Sequence, residues 1–403
     1  MTDLIPATGS TPPAAIHWLE GGVACTARWR SERGVAAPLK VMLADDRTTA
    51  DAAYRLACEG TGLLWRGDFQ NARQLLQALT RRADKSAAKP RKSGPDEAAG
   101  RAFHLHRQAR AQRARVLGML LLPFGADHQI TLRRAPDTRE ACAQAWGVAD
   151  SDGVPCIASL RDLLGMTSAF EWRKKGVEIM ALAPAPNNRI HPHYGVFSPL
   201  RGEYVDLVAS TALPPTQGQP LLAFDIGTGS GVLAAVLARR GVAQVVATDQ
   251  DPRALACARE NLAQLGLATQ VMVVQADLFP PGQANLVVCN PPWLPARASA
   301  PIERAVYDED SRMLLGFLAG LAAHLLPSGE GWLILSDLAE HLGLRTRAEL
   351  LAAFDQHGLT VLGRLETQAQ HPKAADASDP LHAARAAERT SLWRLGNRVD
   401  SKA

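Results

Sequence analysis

From about residue 220 onward the chain alternates short apolar runs with helix-patterned segments, and this alternation limits the possible folds more than any other feature. "LLAFDIG", "AQVVATD", "TQVMVVQAD", "ANLVVCN", "GEGWLILSD", "TVLGRL" and "TSLWRL" read as strands. "GVLAAVLARRG", "PRALACARENLAQLG", "SRMLLGFLAGLAAHLL" and "RAELLAAFDQHG" read as helices. Pro252 opens the second helix and Gly266 closes it, as helix termini favour. Strands alternating with helices imply an α/β fold, a doubly wound, seven-stranded and mostly parallel sheet. Its ligands belong beyond the carboxyl ends of the strands.

The first strand–helix turn reads "DIGTGSG", residues 225–231. Gly227, Gly229 and Gly231 let backbone approach a ligand and expose N–H groups at a helix start. By itself this loop suits a tight turn or a dinucleotide site equally well. The second strand ends in Asp249, eighteen residues after Gly231, where a carboxylate can accept from both hydroxyls of a ribose. The third ends in Asp277, followed by Leu278, at a place suited to an adenine amine. Each Asp alone could be a cap or turn residue. The ordered set fits a positively charged nucleoside better than a pyrophosphate.

The fourth strand runs into Asn290, Pro291, Pro292 and Trp293. Proline cannot donate to a sheet ladder, and the residue before it avoids the helical region, so a stiff extended loop follows the strand. The bland reading is a strand-ending turn with a packed Trp. The chemical reading begins from a planar nitrogen, a carboxamide or a nucleobase amine, whose delocalised lone pair is a poor nucleophile. Two acceptors, the Asn290 side-chain oxygen and the Pro291 carbonyl, would favour a pyramidal nitrogen and aim its lone pair at an electrophile. Trp293 would stack on the planar group, so positioning and fixed dipoles supply most of the catalysis. No strong base is required.

These residues carry a resemblance. Residues 195–397 resemble a class I S-adenosylmethionine-dependent methyltransferase, a Rossmann-like fold, and within that class the HemK-type branch of glutamine-N5 methyltransferases. "DIGTGSG", "ATDQDPRALACARENLAQLG" and "NPPW" match that branch in order and spacing. "RGEYVDLV" (201–208) is similar to its R-P-E-T-E-x-L-V segment, keeping Arg201 and Glu203 with Val205 in place of an acid, and "ERTSLWRL" is similar to its closing strand. The resemblance implies that Asp225, Gly227, Thr228, Gly229, Gly231, Asp249, Asp277 and Leu278 hold S-adenosyl-L-methionine. It also implies that Asn290, Pro291, Pro292 and Trp293 serve the acceptor nitrogen, with no metal. Trp293 stands where HemK-type enzymes usually have Tyr. "GVFS" (195–198) is similar instead to ribosomal-RNA guanine-N2 methyltransferases.

The remainder of the chain is less regular. Residues 1–84 read as mainly helical, 85–100 as a basic flexible linker, and 101–194 as a mixed region for substrate recognition. Residues 81–115 hold eleven Lys/Arg against Asp84, Asp96 and Glu97, a net of +8 in a chain whose total is +4. That segment is either a solvated linker and helix face or an arm for RNA phosphates. "EWRKKG" (171–176) could join such an arm, with Trp172 as a stacking surface. His191 and His193 in "IHPHYG" have no ligand set for a metal and suit local packing, while "YDEDS" (307–311) suits a helix start.

At 403 residues, 47% apolar and 21% charged, the chain has the makings of two or three globular domains. No apolar run reaches the ~18 residues of a membrane helix, and the opening lacks a secretory pattern. Six scattered cysteines without a C-x-x-C pair suit small buried hydrophobes in a reducing cytoplasm. The expected function is therefore N-methylation of a macromolecule, a protein or RNA or DNA. The preferred acceptor is a glutamine side-chain amide, as in a release factor. The alternatives are the exocyclic amine of a nucleobase, an NAD-dependent oxidoreductase and a non-catalytic RNA-binding scaffold. Oligomeric state is open.

Overall fold

The computed structural model describes residues 14–87, 99–149, 152–216, 218–298, 301–369, 376–377 and 379–398. The chain forms two units, one built from residues 1–91 and 109–168, the other from 92–108 and 169–403. Chain order in the first half is β1 (Ala15–Glu20), β2 (Val23–Trp29), β3 (Lys40–Ala44), α1 (Ala50–Cys58), β4 (Thr61–Trp65), α2 (Phe69–Ala87), α3 (Ala99–Leu117), β5 (Leu120–Phe124), α4 (Arg139–Trp146), β6 (Cys156–Ser159) and α5 (Leu160–Lys175).

The first unit is a six-stranded sheet in the order β1-β2-β6-β5-β4-β3. Ile16, Ala27, Trp29, Leu64, Leu121 and Ile157 form a core on it. This corrects the expectation that 1–84 is mainly helical: α1 and α2 are present, but so are four strands. β1 and β2 pair locally as a hairpin, Glu20 opposite Val23 across Gly21 and Gly22, whereas the β2–β6 contact, Trp29 to Ile157, is distant. These strands of five to seven residues are outweighed by the longer helical period of α1 and α2. The expected boundary at 194/195 also differs from the division, which falls within α3 and α5. Most of the expected linker, 88–98, lies outside the described residues.

The second unit continues with β7 (Val177–Glu178), β8 (Arg189–Ile190), α6 (Glu203–Ser210), β9 (Leu222–Ile226), α7 (Val232–Arg239), β10 (Gln244–Asp249), α8 (Pro252–Gln264), β11 (Val271–Gln275), β12 (Ala284–Cys289), α9 (Arg312–His324), β13 (Leu325–Ser336), α10 (Leu338–His341), α11 (Arg347–Gln356), β14 (Leu359–Gln368), α12 (His382–Ala387) and β15 (Arg389–Asn397). Its seven-stranded sheet runs β11-β10-β9-β12-β13-β15-β14, parallel except that β15 is antiparallel to both neighbours. The doubly wound sheet expected from the alternation is therefore present.

Alternation along each strand feeds two cores. Ala223, Val245, Ala247, Val288, Trp332 and Ile334 face α6, α7 and α8. Phe224, Ile226, Val246, Val287, Cys289, Leu333 and Leu335 pack with α9 and α11. At about 25 cal/mol per Å² of apolar area, such two-sided burial dominates the stability of the sheet. The caps match the sequence. Asp251 accepts from Arg253 N at 2.9 Å ahead of Pro252. Asp308 accepts from Met313 N and Leu314 N at 3.0 and 3.1 Å, so "YDEDS" does start a helix. No helix among the described residues is long and apolar enough to cross a membrane.

Candidate active site

Strand order determines where the site opens. β10 and β11 lie on one side of β9 and β12 on the other, so the chain diverges between the ends of β9 and β12. Ile226 is in register with Thr248 on β10 and with Cys289 on β12. Neighbouring strands run about 4.8 Å apart. The next residues, Asp249, Gly227 and Asn290, therefore stand in one row at the carboxyl edge.

The glycine turn is braced from below. Asp225 is buried, and its Oδ2 accepts from Thr228 Oγ1 at 2.6 Å and from Ala234 N at 3.1 Å. Thr228 also donates its N–H to Thr248 O at 2.8 Å, so it spends both donors inside the fold. The space above the turn is open over Gly229, where a Cβ would meet nothing nearer than Gly227 O at 4.0 Å, whereas a Cβ on Gly227 would lie 2.5 Å from Met313 Cε, the end of a flexible side chain. Gly231 serves packing instead. Its φ is +83°, and a Cβ there would lie 3.2 Å from both Cα and Cβ of Ala258 on α8. Gly231→Ala should lower stability by about 1–2 kcal/mol from backbone strain alone. A urea midpoint equal to wild type would remove that role.

Asp249 sits half-buried at the rim. Its Oδ2 accepts from Gly229 N at 3.0 Å and its Oδ1 from Asp251 N at 2.9 Å, so each oxygen keeps a lone pair for a ligand. Burial pushes its carboxyl above the ordinary range. Asp277 is exposed and accepts from Gln250 Nε2. Leu278 holds a φ of +69°, uncommon for a bulky residue, and its carbonyl accepts from Thr248 Oγ1 at 2.6 Å. Of the three acids expected to surround a nucleoside, Asp249 ends β10 and Asp277 follows β11 at the rim, whereas Asp225 lies within β9, buried, with its carboxylate turned to Thr228 and Ala234.

Burial pushes Asp225 from the ordinary 3.8 up to about 6. A carboxyl raised on folding contributes stability that is complete below the unfolded value and is lost as pH rises through the folded one. Stability should therefore fall between about pH 4 and pH 6 on account of Asp225. Asp225→Asn should flatten that part of the urea-midpoint profile. An unchanged slope would assign the titration to another group.

Asn290 is half-buried, Pro291 buried, and Pro292 and Trp293 half-buried. Trp293 Nε1 donates to Asn290 Oδ1 at 2.9 Å. Arg201, outside the expected site, lies with its Cζ 4.9 Å from the Trp293 ring centroid. Its only signal in the sequence is the "RGEYVDLV" segment, and its partner Glu388 comes from "ERTSLWRL". The His191 and His193 segment is packing, as expected. His191 N donates to Asn261 Oδ1 at 2.7 Å, and His193 Nε2 meets Glu260 Oε2 at 2.5 Å.

In the basic segment several cations are engaged within the fold. Arg82 pairs with Asp51 and Arg113 with Asp84, at 2.8 and 2.6 Å. Arg107 lies 4.2 Å from the Tyr307 ring centroid and donates to Arg297 O.

Residues 187–353 match the methyltransferase small domain family. A release factor glutamine methyltransferase of Moorella thermoacetica is 40% identical over 115 residues, 27% of this chain and 41% of that protein. A ribosomal protein L11 methyltransferase of Geobacter metallireducens is 31% identical over 238 residues, 54% of this chain and 68% of that protein. The chain spans about two fifths of the length of the release factor methyltransferases it matches. The solved structure of ribosomal protein L11 methylase from Lactobacillus delbrueckii subsp. bulgaricus aligns with a TM-score of 0.36 and 19% identity, over 54% of this chain and 90% of that one. Residues 187–353 are thus a methyltransferase small domain, and with the Geobacter relative covered over 68% of its length the chain belongs to the S-adenosylmethionine-dependent methyltransferases.

Proposed function

We propose that this chain methylates the side-chain amide nitrogen of a glutamine in a protein of the translation apparatus. The observation that carries the reading is the register of β12 on β9, which sets Asn290 immediately beside the glycine turn. The names of the relatives, one for a release factor glutamine and one for a ribosomal protein, favour a protein acceptor.

The residues at the rim suit S-adenosylmethionine. The open space over Gly229 admits its backbone-close part, and Asp249 and Asp277 offer acceptors to ribose hydroxyls and an adenine amine. Their negative charge, with that of Asp225 below, favours a cationic ligand. When bound, the cofactor supplies a methyl group made electrophilic by its sulfonium. Asn290 Oδ1 and the Pro291 carbonyl accept from the amide N–H bonds of the acceptor and hold that nitrogen pyramidal. Trp293 offers a flat surface to the amide plane. Fixed dipoles of this kind act without reorganising during the reaction.

Two measurements test the reading. S-adenosylhomocysteine at 100 times its Kd should stabilise the protein by about 2.7 kcal/mol and raise Tm, while NAD leaves Tm unchanged. The reverse result would favour an oxidoreductase. Tritiated methyl donor incubated with cell extract should label material that protease releases and nuclease does not. Nuclease-sensitive label would point to a nucleobase amine.

A further inference from the structure

A side-chain amide can sit in two orientations that differ in which end is oxygen and which is NH2. For Asn290 the choice matters, because an acceptor nitrogen carrying N–H bonds needs an oxygen opposite it, and an NH2 group there would repel it. In this chain the choice is imposed by a neighbour. The indole N–H of Trp293 is a donor only, and it points at Asn290 from 2.9 Å. An inverted amide would set donor against donor at a half-buried place. The oxygen keeps a second lone pair for the substrate.

Trp293 is itself held. The Arg201 guanidinium covers one side of the ring at 4.9 Å. Arg201 Nε donates to Glu203 Oε1 at 2.8 Å and its Nη2 to Glu388 Oε1 at 3.0 Å. Glu203 and Glu388 are buried, and Glu388 Oε1 also accepts from Ser336 Oγ at 2.7 Å. The end of β13 (Ser336), the residue just before β15 (Glu388) and the start of α6 (Glu203) thus anchor one guanidinium, which anchors one ring, which orients one amide.

We propose that Trp293 and Arg201 are positioning residues for methyl transfer. The indole N–H fixes the Asn290 carboxamide with its oxygen as acceptor, and Arg201, clamped by Glu203 and Glu388, fixes the indole. The inference rests on Asn290 being the acceptor-nitrogen site. It separates two roles for Trp293, because a flat face alone would serve stacking whereas only the N–H orients the amide.

Trp293→Phe keeps a flat face and deletes the donor. With the extract fraction labelled by wild type as acceptor, its rate at saturating acceptor should fall about tenfold. The half-saturating acceptor concentration and the Kd for S-adenosylhomocysteine should stay within about twofold. Because Trp293 acts through Asn290, the Asn290→Ala/Trp293→Phe double variant should be no slower than Asn290→Ala. Arg201→Met should lose less than Trp293→Phe and add nothing to it. In the ¹H–¹⁵N spectrum of the free protein, the Trp293 indole proton should exchange with water faster in Asn290→Ala than in wild type. A Trp293→Phe rate within twofold of wild type, or a double variant showing the product of the two losses, overturns the inference while the glutamine reading stands. A wild-type rate in Asn290→Ala overturns both.

Discussion

Asn290→Ala is expected to lower methyl transfer by about 10²–10³-fold while leaving the Kd for S-adenosylhomocysteine within about twofold of wild type. The magnitude is that of removing one preorganised group aimed at charge that develops in the transition state. Asn290 follows Cys289, the last residue of β12 paired with β9, so its backbone position is set by the sheet and should survive the substitution. The glycine turn does not use the Asn290 side chain: its braces are Asp225, Thr228, Thr248 and Asp249. Cofactor binding and transfer should therefore separate cleanly. Single-turnover rates with titration calorimetry on the same preparation make the comparison. Equal loss of both would show that Asn290 supports the cofactor rather than the acceptor.

Asp249→Ala is expected to do the opposite, raising the Kd for S-adenosylhomocysteine by about 10–100-fold, the scale of one or two charge-assisted hydrogen bonds. Two effects combine here. On the proposed reading the carboxylate accepts from the ribose hydroxyls, and it also holds Gly229 N and Asp251 N, so its loss loosens the turn as well. Asp249→Asn distinguishes them, since one amide oxygen can still meet one of the two N–H groups. An Asn variant intermediate in Kd fits both roles, while one as weak as Ala makes the charge decisive. Burial raises the Asp249 pKa, so affinity should begin to fall on acidification at a higher pH than for an ordinary carboxylate. A Kd unchanged in Asp249→Ala would remove the residue from the site.

The second unit was legible because its signals are local. Apolar runs of five or six residues with an Asp or Asn at or near their ends, alternating with helix-patterned segments, name the strands and their functional ends. Asp251 and Pro252 opening α8 show the same agreement at one cap. The first unit was not legible. β2 meets β6 through Trp29 and Ile157, and β5 meets β6 across α4. The four and five residues of β6 and β5, with partners that far away, leave no period to display. The β1–β2 hairpin across Gly21 and Gly22 is local, and its Gly-Gly turn was the signal that could have found it. Helices α1 and α2 therefore dominated the reading.

At the site the division is similar. The sequence by itself determined the kinds of residue at the sheet's edge, because a strand's length and a proline's missing N–H are properties of a few neighbouring residues. It named Asn290 as an acceptor and Trp293 as a flat surface. Only the tertiary structure decided that the Trp293 N–H meets the Asn290 oxygen, and that Arg201 reaches Glu388 from 187 positions away. Those contacts depend on strand order, which brings β13 and β15 against the start of α6. Strand order follows from packing the whole sheet, and no local stretch of sequence contains it.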